Sequence, residues 1–454
     1  MKQLLITIAA LVLVTTTFSA PIYLQLQTPE ELKAVRFVQQ MENGLFQECI
    51  SMLDETMKKA LQGDKLEGLW KSLEGQVGSF VSIDGTRPQD RGDYLITLVT
   101  CRFEKGMLDV KVVLDNENNV AGLFFLPNRP QPKPKEPAYA DKSKFTEEET
   151  VVVTGDFRLP ATLTLPLGTT EPPVLVLVHG SGPNDRDETI GPNKLFRDLA
   201  WGLAMRGIAS LRYEKRTRRY RGKLDNINLT PREETIDDAI SATHLVARDS
   251  RFDGKHVVVA GHSLGGSLAP LIAKEASEVD GIIIMAGPTR PLLEMVREQI
   301  EHILKLDGNL SESDIEQLAE LDSNTAKLKK GKPTEGLLAG ITKRYLDALN
   351  TIDGPGEAKK LSIPILVTQG KRDYQVNGEK DFTKWQTILK NNTNVIFMLH
   401  DNLDHLFMEG EGISSPIDYQ APRNVSEEFI EHLADWIHKL PPQARSQDEC
   451  RIES

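Results

Sequence analysis

Gly261-His262-Ser263-Leu264-Gly265 sets one hydroxyl between two glycines. It lies where an apolar, β-branched run (VVVAG) gives way to an alanine- and leucine-bearing run (LAPLIAKEA). A strand that becomes a helix this abruptly leaves no room for side chains beside the turn, and glycine is the residue without one. A serine held at such a corner presents its oxygen outward. The amide end of the helix starting at Leu264 favours negative charge developing nearby. That arrangement suits nucleophilic attack on an acyl carbon. The pentapeptide pattern alone is weak, since roughly one chain in seven of this length would hold it by chance. The strand before it and the helix after it make it specific. The competing reading is a glycine-rich packing turn with an idle serine.

A serine hydroxyl needs a base, and the base needs an acid to orient it. On a doubly wound sheet these follow the nucleophile in the order serine, acid, histidine, each past the C-terminal end of a later strand. The run IPILVTQG is followed by Lys371-Arg372-Asp373, and NVIFMLH by DNLDHLF. Asp373 is therefore the expected acid and His405 the expected base. His400, at the end of its own strand, is the alternative base, although it can equally point into the sheet. Asp401 and Asp404 read as solvated loop carboxylates. Glu379 and Asp381 read as acids at a helix start. His262 is expected to pack beneath the corner, and His432 and His438 to lie on the polar face of the last helix.

A second signature is Val178-His179-Gly180-Ser181-Gly182-Pro183, at the end of the first strong strand. Such a loop can aim a backbone N–H at the substrate oxygen. The expected oxyanion hole is the N–H groups of Ser181 and Leu264, with Gly182 as the alternative to Ser181. His179 is expected to orient the loop. The alternating charges of Asn184-Asp185-Arg186-Asp187 suggest an internal ion-pair network. No histidine or cysteine spacing suits zinc, and the chemistry needs neither metal nor other cofactor. The basic run KRTRRYRGK, residues 215–223, reads as a solvated loop answering nearby acids; the alternative is a lure for an anionic substrate.

These residues need a scaffold. VLVLVHG, IASLRYE, HVVVAG, GIIIMAG, IPILVTQG and NVIFMLH read as buried strands. They alternate with helical runs such as NKLFRDLAWGLAMRG and VSEEFIEHLADWIHKL, a pattern that predicts a parallel, doubly wound α/β sheet over residues 148–441. Residues 287–360 lack a convincing strand. They carry helix-like runs, PLLEMVREQIEHILKL and EGLLAGITKRYLDALN, and are expected to form a helical lid. Residues 25–127 read as a small α+β domain: a helix from Thr28 to about Leu61, a shorter one near 65–73, then four strand-like runs. Between the two, residues 128–147 form a proline-rich linker. Residues 442–454 are a tail.

The N-terminus, MKQLLITIAALVLVTTTFSA, has the layout of a secretory signal peptide ending at Ser19. Its apolar run is short for a membrane span, and the competing reading is an uncleaved N-terminal anchor. The expected location is therefore secreted or periplasmic. A net charge of −12 argues against a nucleic-acid partner. The expected partner is a small ester; a homo-oligomer is open. Three cysteines are too few for a disulfide scaffold. Cys49 and Cys101 could pair after export or remain as two buried thiols.

HGSGPNDRD, RYEKR, GHSLGG, QGKRDYQV and DHLF resemble the α/β-hydrolase superfamily, and within it the EstD-type serine esterases that carry a small N-terminal domain of unknown function. The resemblance covers nearly the whole mature chain and implies Ser263 as nucleophile, Asp373 as acid and His405 as base. Glu214 and Thr217 depart from the aspartate and glycine that relatives carry in the RYDKRG stretch. The expected activity is that of a serine carboxylesterase. The alternatives are a thioesterase or small-peptide hydrolase on the same triad, or a non-catalytic binding protein on a hydrolase fold.

Overall fold

The computed structural model describes residues 29–441, apart from 62–63, 92–93, 116, 129–132, 221–223, 225–228, 253–254, 307, 311, 333, 335–337 and 339–340. The stretch read as a signal peptide and the stretch read as a tail fall outside the described residues. The chain divides into two compact units, Met1–Asn128 and Arg129–Ser454.

In the first unit, helices α1 (Pro29–Glu42), α2 (Phe46–Ser51), α3 (Glu55–Ala60) and α4 (Lys65–Val77) precede strands β1 (Phe80–Arg91), β2 (Tyr94–Phe103), β3 (Gly106–Leu114) and β4 (Val120–Pro127). The strands form an antiparallel meander in chain order. The single long helix expected up to Leu61 is broken in two places. Gly44 turns the chain at φ 72°. Asp54 starts a new helix by accepting the Met57 N–H at 2.6 Å, a cap that competes with helix continuation. The core gathers Phe37, Met41, Leu66, Trp70, Val99 and Val110. Cys49 and Cys101 lie in this core as unpaired thiols. Burial pushes both up to about 12, which leaves them protonated and inert.

The second unit is built on an eight-stranded sheet. Its strands are β5 (Phe145–Thr154), β6 (Phe157–Pro166), β7 (Val174–Val178), β10 (Ala209–Tyr213), β11 (Val257–His262), β12 (Gly281–Met285), β13 (Ile365–Gly370) and β14 (Val395–His400), in the order β14-β13-β12-β11-β7-β10-β6-β5. A short hairpin, β8 (Thr189–Ile190) and β9 (Asn193–Lys194), stands apart from it. The sheet is mixed, which corrects the expected all-parallel arrangement: β6 runs antiparallel to both β5 and β10. The β5–β6 hairpin also begins inside the stretch read as linker.

The central strands bury both faces, so their side chains alternate between two cores. Val174, Val176 and Val178 face one, with α7 (Asp237–Ala247), α8 (Leu264–Glu275) and α13 (Thr383–Leu389) contributing Ala242, Leu268 and Leu389. Leu175 and Leu177 face the other, packed by Phe196 and Leu203 of α5 (Leu195–Ala204) and Phe429 and Leu433 of α14 (Glu427–His438). Each such aliphatic side chain contributes about 1.5–3 kcal/mol relative to exposure. Between β12 and β13 the chain forms α9 (Leu292–Leu304), α10 (Glu312–Lys329), α11 (Lys343–Thr351) and α12 (Gly354–Ala358). Leu293, Leu321, Leu328, Leu338 and Leu346 give this segment a small core of its own.

Candidate active site

Ser263 stands between β11 and α8 at φ 52°, ψ −117°. A side chain in that region costs about 1–3 kcal/mol and persists only where its surroundings impose it. Here they do. A Cβ on Gly261 would lie 2.1 Å from the Gly265 carbonyl oxygen, and one on Gly265 would lie 2.4 Å from that of Val178. The Ser263 N–H is fixed by the Met285 carbonyl at 2.9 Å. The corner is closed to any residue but glycine on both sides of the serine.

Asp373 follows β13 and His405 follows β14; both are buried. Asp373 Oδ2 lies 2.7 Å from His405 Nδ1. The same carboxylate accepts the Gln369 side-chain amide at 2.8 Å and the N–H groups of Gln375 and Val376 at 2.7 and 2.9 Å. All of these groups donate, so the carboxylate serves as acceptor on every side. His405 Nδ1–H therefore donates to it, and in the neutral ring Nε2 is left as the acceptor nitrogen. The Ser263 corner and the His405 loop meet directly: His262 Nε2 donates to the His405 carbonyl at 2.9 Å.

The other face of His262 meets Glu188. Its Nδ1 lies 3.1 Å from Glu188 Oε2 as an ion pair, with both side chains almost wholly buried. Burial works against the cation, but Glu188 more than offsets it, and the His262 pKa lies above the usual range. For Glu188 burial likewise opposes the charge, and His262 and the Gly180 N–H bring its pKa below the usual carboxylate range. Glu188 Oε1 accepts that N–H at 2.7 Å. A Cβ on Gly180 would meet Ser263 Cβ at 3.1 Å, so the HGSGP loop touches the serine. Glu188 was not singled out by its position in the chain. Its partner lies 74 residues away, and no local pattern joins them.

His179 is packed against Phe196 and Tyr213 and donates to the Asp185 carbonyl at 3.0 Å. Burial pushes its pKa down to about 4. Ser181 and Gly182 are exposed, and Leu264 is buried at the head of α8. His400 is bonded to Thr368 Oγ1 at 2.9 Å and packs edge-on against Phe429, away from the Asp373 carboxylate's partner set.

Several side chains differ from their expected surroundings. Asp404 is buried and bound to Arg423 at 2.7 Å and to the N–H groups of Leu406 and Met408, so it shapes the base loop from within. Asp401 is solvated and meets Lys371 at 2.6 Å. Asp381 is buried and accepts from Thr289 and Arg290, tying α13's approach to the chain leaving β12. Within the basic run, Lys215 and Arg216 are buried. Lys215 meets Glu234 at 2.6 Å, and Arg216 forms a two-pronged pair with Asp238. The Arg186 and Asp187 side chains enter a network with Glu149, Glu214, Lys194 and Arg212. Among the described residues no group of three or more histidine, cysteine, aspartate or glutamate side chains is placed to hold a metal ion.

A mixed sheet with its antiparallel strand in second place, and a strand–serine–helix corner at its centre, defines an α/β-hydrolase. Comparison with known proteins agrees. The chain is 38% identical over 408 residues to Esterase EstD of Thermotoga maritima, covering 90% of this chain and 95% of that one. It belongs to the EstD-type family of the α/β-hydrolases. Residues 34–123 match a family described as "Protein of unknown function (DUF3887)". Solved structures similar to the chain include Est1E from Butyrivibrio proteoclasticus, at 15% identity and a TM-score of 0.42 over 64% of this chain and 98% of that one. A Pyrococcus furiosus esterase matches at 16% identity and a TM-score of 0.42, over 69% and 99%.

Proposed function

We propose that the chain is an exported serine carboxylesterase. The observation that carries this reading is the 2.7 Å Asp373–His405 pair, attached through His262 to a serine locked at a glycine-flanked corner. The kinship with Esterase EstD supports the ester as substrate. Ser263 attacks the ester carbonyl while His405 Nε2 takes its proton. The tetrahedral oxyanion is met by the N–H groups of Ser181 and Leu264. His405 returns the proton to the departing alcohol, leaving an acyl-enzyme. It then activates water to release the acid. Asp373 keeps the ring in the Nδ1–H form and stabilises the imidazolium.

The helices between β12 and β13 act as the lid, screening the acyl pocket. Export rests on the N-terminal stretch's single lysine, its apolar run and the small residues Thr17 and Ser19. Among the described residues no helix is long and apolar enough to cross a membrane.

The deciding experiment is hydrolysis of p-nitrophenyl esters of graded acyl length by wild type and Ser263→Ala. Turnover that disappears with the serine supports the reading. A folded wild type that cleaves no ester and takes no fluorophosphonate label overturns it.

A further inference from the structure

The peptide joining Gly180 to Ser181 is held from outside the triad. The Gly180 carbonyl accepts from the Lys215 ammonium at 2.7 Å. Lys215 is 1% exposed, and its other partner is the buried Glu234, at 2.6 Å. A buried ammonium–carboxylate pair is costly to assemble and would often be replaced at no loss by apolar side chains. Its presence beside a reactive centre therefore asks for a role beyond stability. In a trans peptide the carbonyl and the following N–H point in opposite directions. Holding the Gly180 oxygen fixes the plane and aims the Ser181 N–H away from Lys215. A cation on the carbonyl also draws electrons through the amide and makes that N–H a stronger donor.

We propose that Lys215 is a positioning residue for the oxyanion site: it sets the direction and donor strength of the Ser181 N–H through the Gly180 carbonyl, under control of the helical segment between β12 and β13. The control runs through Glu234, whose second oxygen accepts the Tyr345 hydroxyl. Tyr345 lies on α11, capped at its start by Thr342. Its neighbour Leu346 sits in the small core shared by α9 and α10. A shift of those helices on substrate binding pulls on Tyr345, and through Glu234 and Lys215 on the peptide facing the substrate oxygen. This rests on the serine-hydrolase reading above, in which Ser181 supplies an oxyanion N–H.

The test compares wild type, Lys215→Met, the double variant Lys215→Met/Glu234→Gln and Tyr345→Phe. The double variant leaves no buried charge unpaired and guards against failure to fold. Each is measured with a p-nitrophenyl ester and with a trifluoromethyl ketone that mimics the tetrahedral intermediate. Losing one oxyanion donor costs about 100- to 1,000-fold in kcat. Misdirecting one through Lys215 is expected to cost about tenfold to 100-fold in kcat and, in parallel, in ketone affinity, with KM within about threefold. Tyr345→Phe is expected to move the same two quantities together, by less. A folded double variant with wild-type kcat and ketone affinity overturns the proposal while wild-type activity stands. An inactive, unlabelled wild type overturns the serine-hydrolase reading and this inference with it.

Discussion

His262 Nε2 donates to the His405 carbonyl at 2.9 Å, so the residue preceding the nucleophile holds the backbone of the residue assigned as base. Removing the imidazole frees the base loop and strands the Glu188 charge. His262→Ala is expected to lower kcat about tenfold to 100-fold, because small displacements of reacting groups carry penalties of that order. It should also cost about 3–5 kcal/mol of stability from the uncompensated buried carboxylate. Adding Glu188→Gln should restore part of the stability but not the rate. Steady-state kinetics and urea unfolding on the two variants check both halves. Recovery of the rate with the stability would show that His262 acts only on folding.

Asp373 has no understudy among its described neighbours. Asp404 is committed to Arg423 and two backbone N–H groups, and Asp401 faces solvent beside Lys371. Asp373→Asn presents an amide to Nδ1 and favours the wrong tautomer. A loss of about 10⁴-fold in kcat is expected. A loss of tenfold or less would mean that another carboxylate orients His405.

The glycine corner predicts opposite outcomes for two alanine substitutions. Gly261→Ala forces a Cβ to 2.1 Å from the Gly265 oxygen, and should give insoluble or inactive protein. Gly75, inside α4, has nothing within 4 Å of the added Cβ. Gly75→Ala should raise stability by about 0.5–1 kcal/mol through lower unfolded-chain entropy and better helix propensity. Thermal unfolding reads both. A tolerated Gly261→Ala would contradict the close approach.

Acid should destabilise the hydrolase unit through its buried neutral histidines. Burial depresses His179 and His400 to about 4, against about 6.5 in an unfolded chain. Between those values the unfolded state binds more protons. Their contribution is therefore full above about 6.5 and is lost as pH falls towards 4. The depressed Glu188 carboxylate adds in the same direction lower on the scale, whereas the raised His262 works the other way, its stabilisation fading as pH rises through its folded pKa. The thermal midpoint is expected to drop by several degrees between about pH 7 and pH 5, and less steeply in His400→Gln. An equal slope in that variant would remove His400 from the account.

What could be read from the chain, and what could not, follows from the range of the interactions. β7, β11 and β12, and the first half of β13, are nearly continuous apolar runs because both faces of the sheet are covered there, and each is apparent from its own residues. β5 and β6 are different. Glu147, Glu148 and Glu149 crowd the edge strand and Pro160 sits within its neighbour, so neither looks like a strand. Their charges are answered from afar, by Arg212, Arg251 and Arg186. The places of Ser263, Asp373 and His405 were legible because each sits at a fixed position relative to a strand end. Asp404, Lys215 and Arg216 were misread as solvated because the partners that permit their burial, Arg423, Glu234 and Asp238, stand 19 to 22 residues further along. Glu188 gave no local signal at all.

The residues placed in the triad leave β11, β13 and β14, while the four-helix segment leaves β12, the strand between them. Both ends of that segment are pinned by the register that pairs Ile282 with Ile365 and Met285 with Thr368. Apart from Tyr345, which meets Glu234, its length and composition can therefore drift without moving the strands that position Ser263, Asp373 and His405. On the proposed reading, admission and reaction are inscribed on separate stretches of one chain, joined at Tyr345. A graft of the segment that keeps Tyr345 then becomes a means of rewriting substrate preference without rebuilding an enzyme.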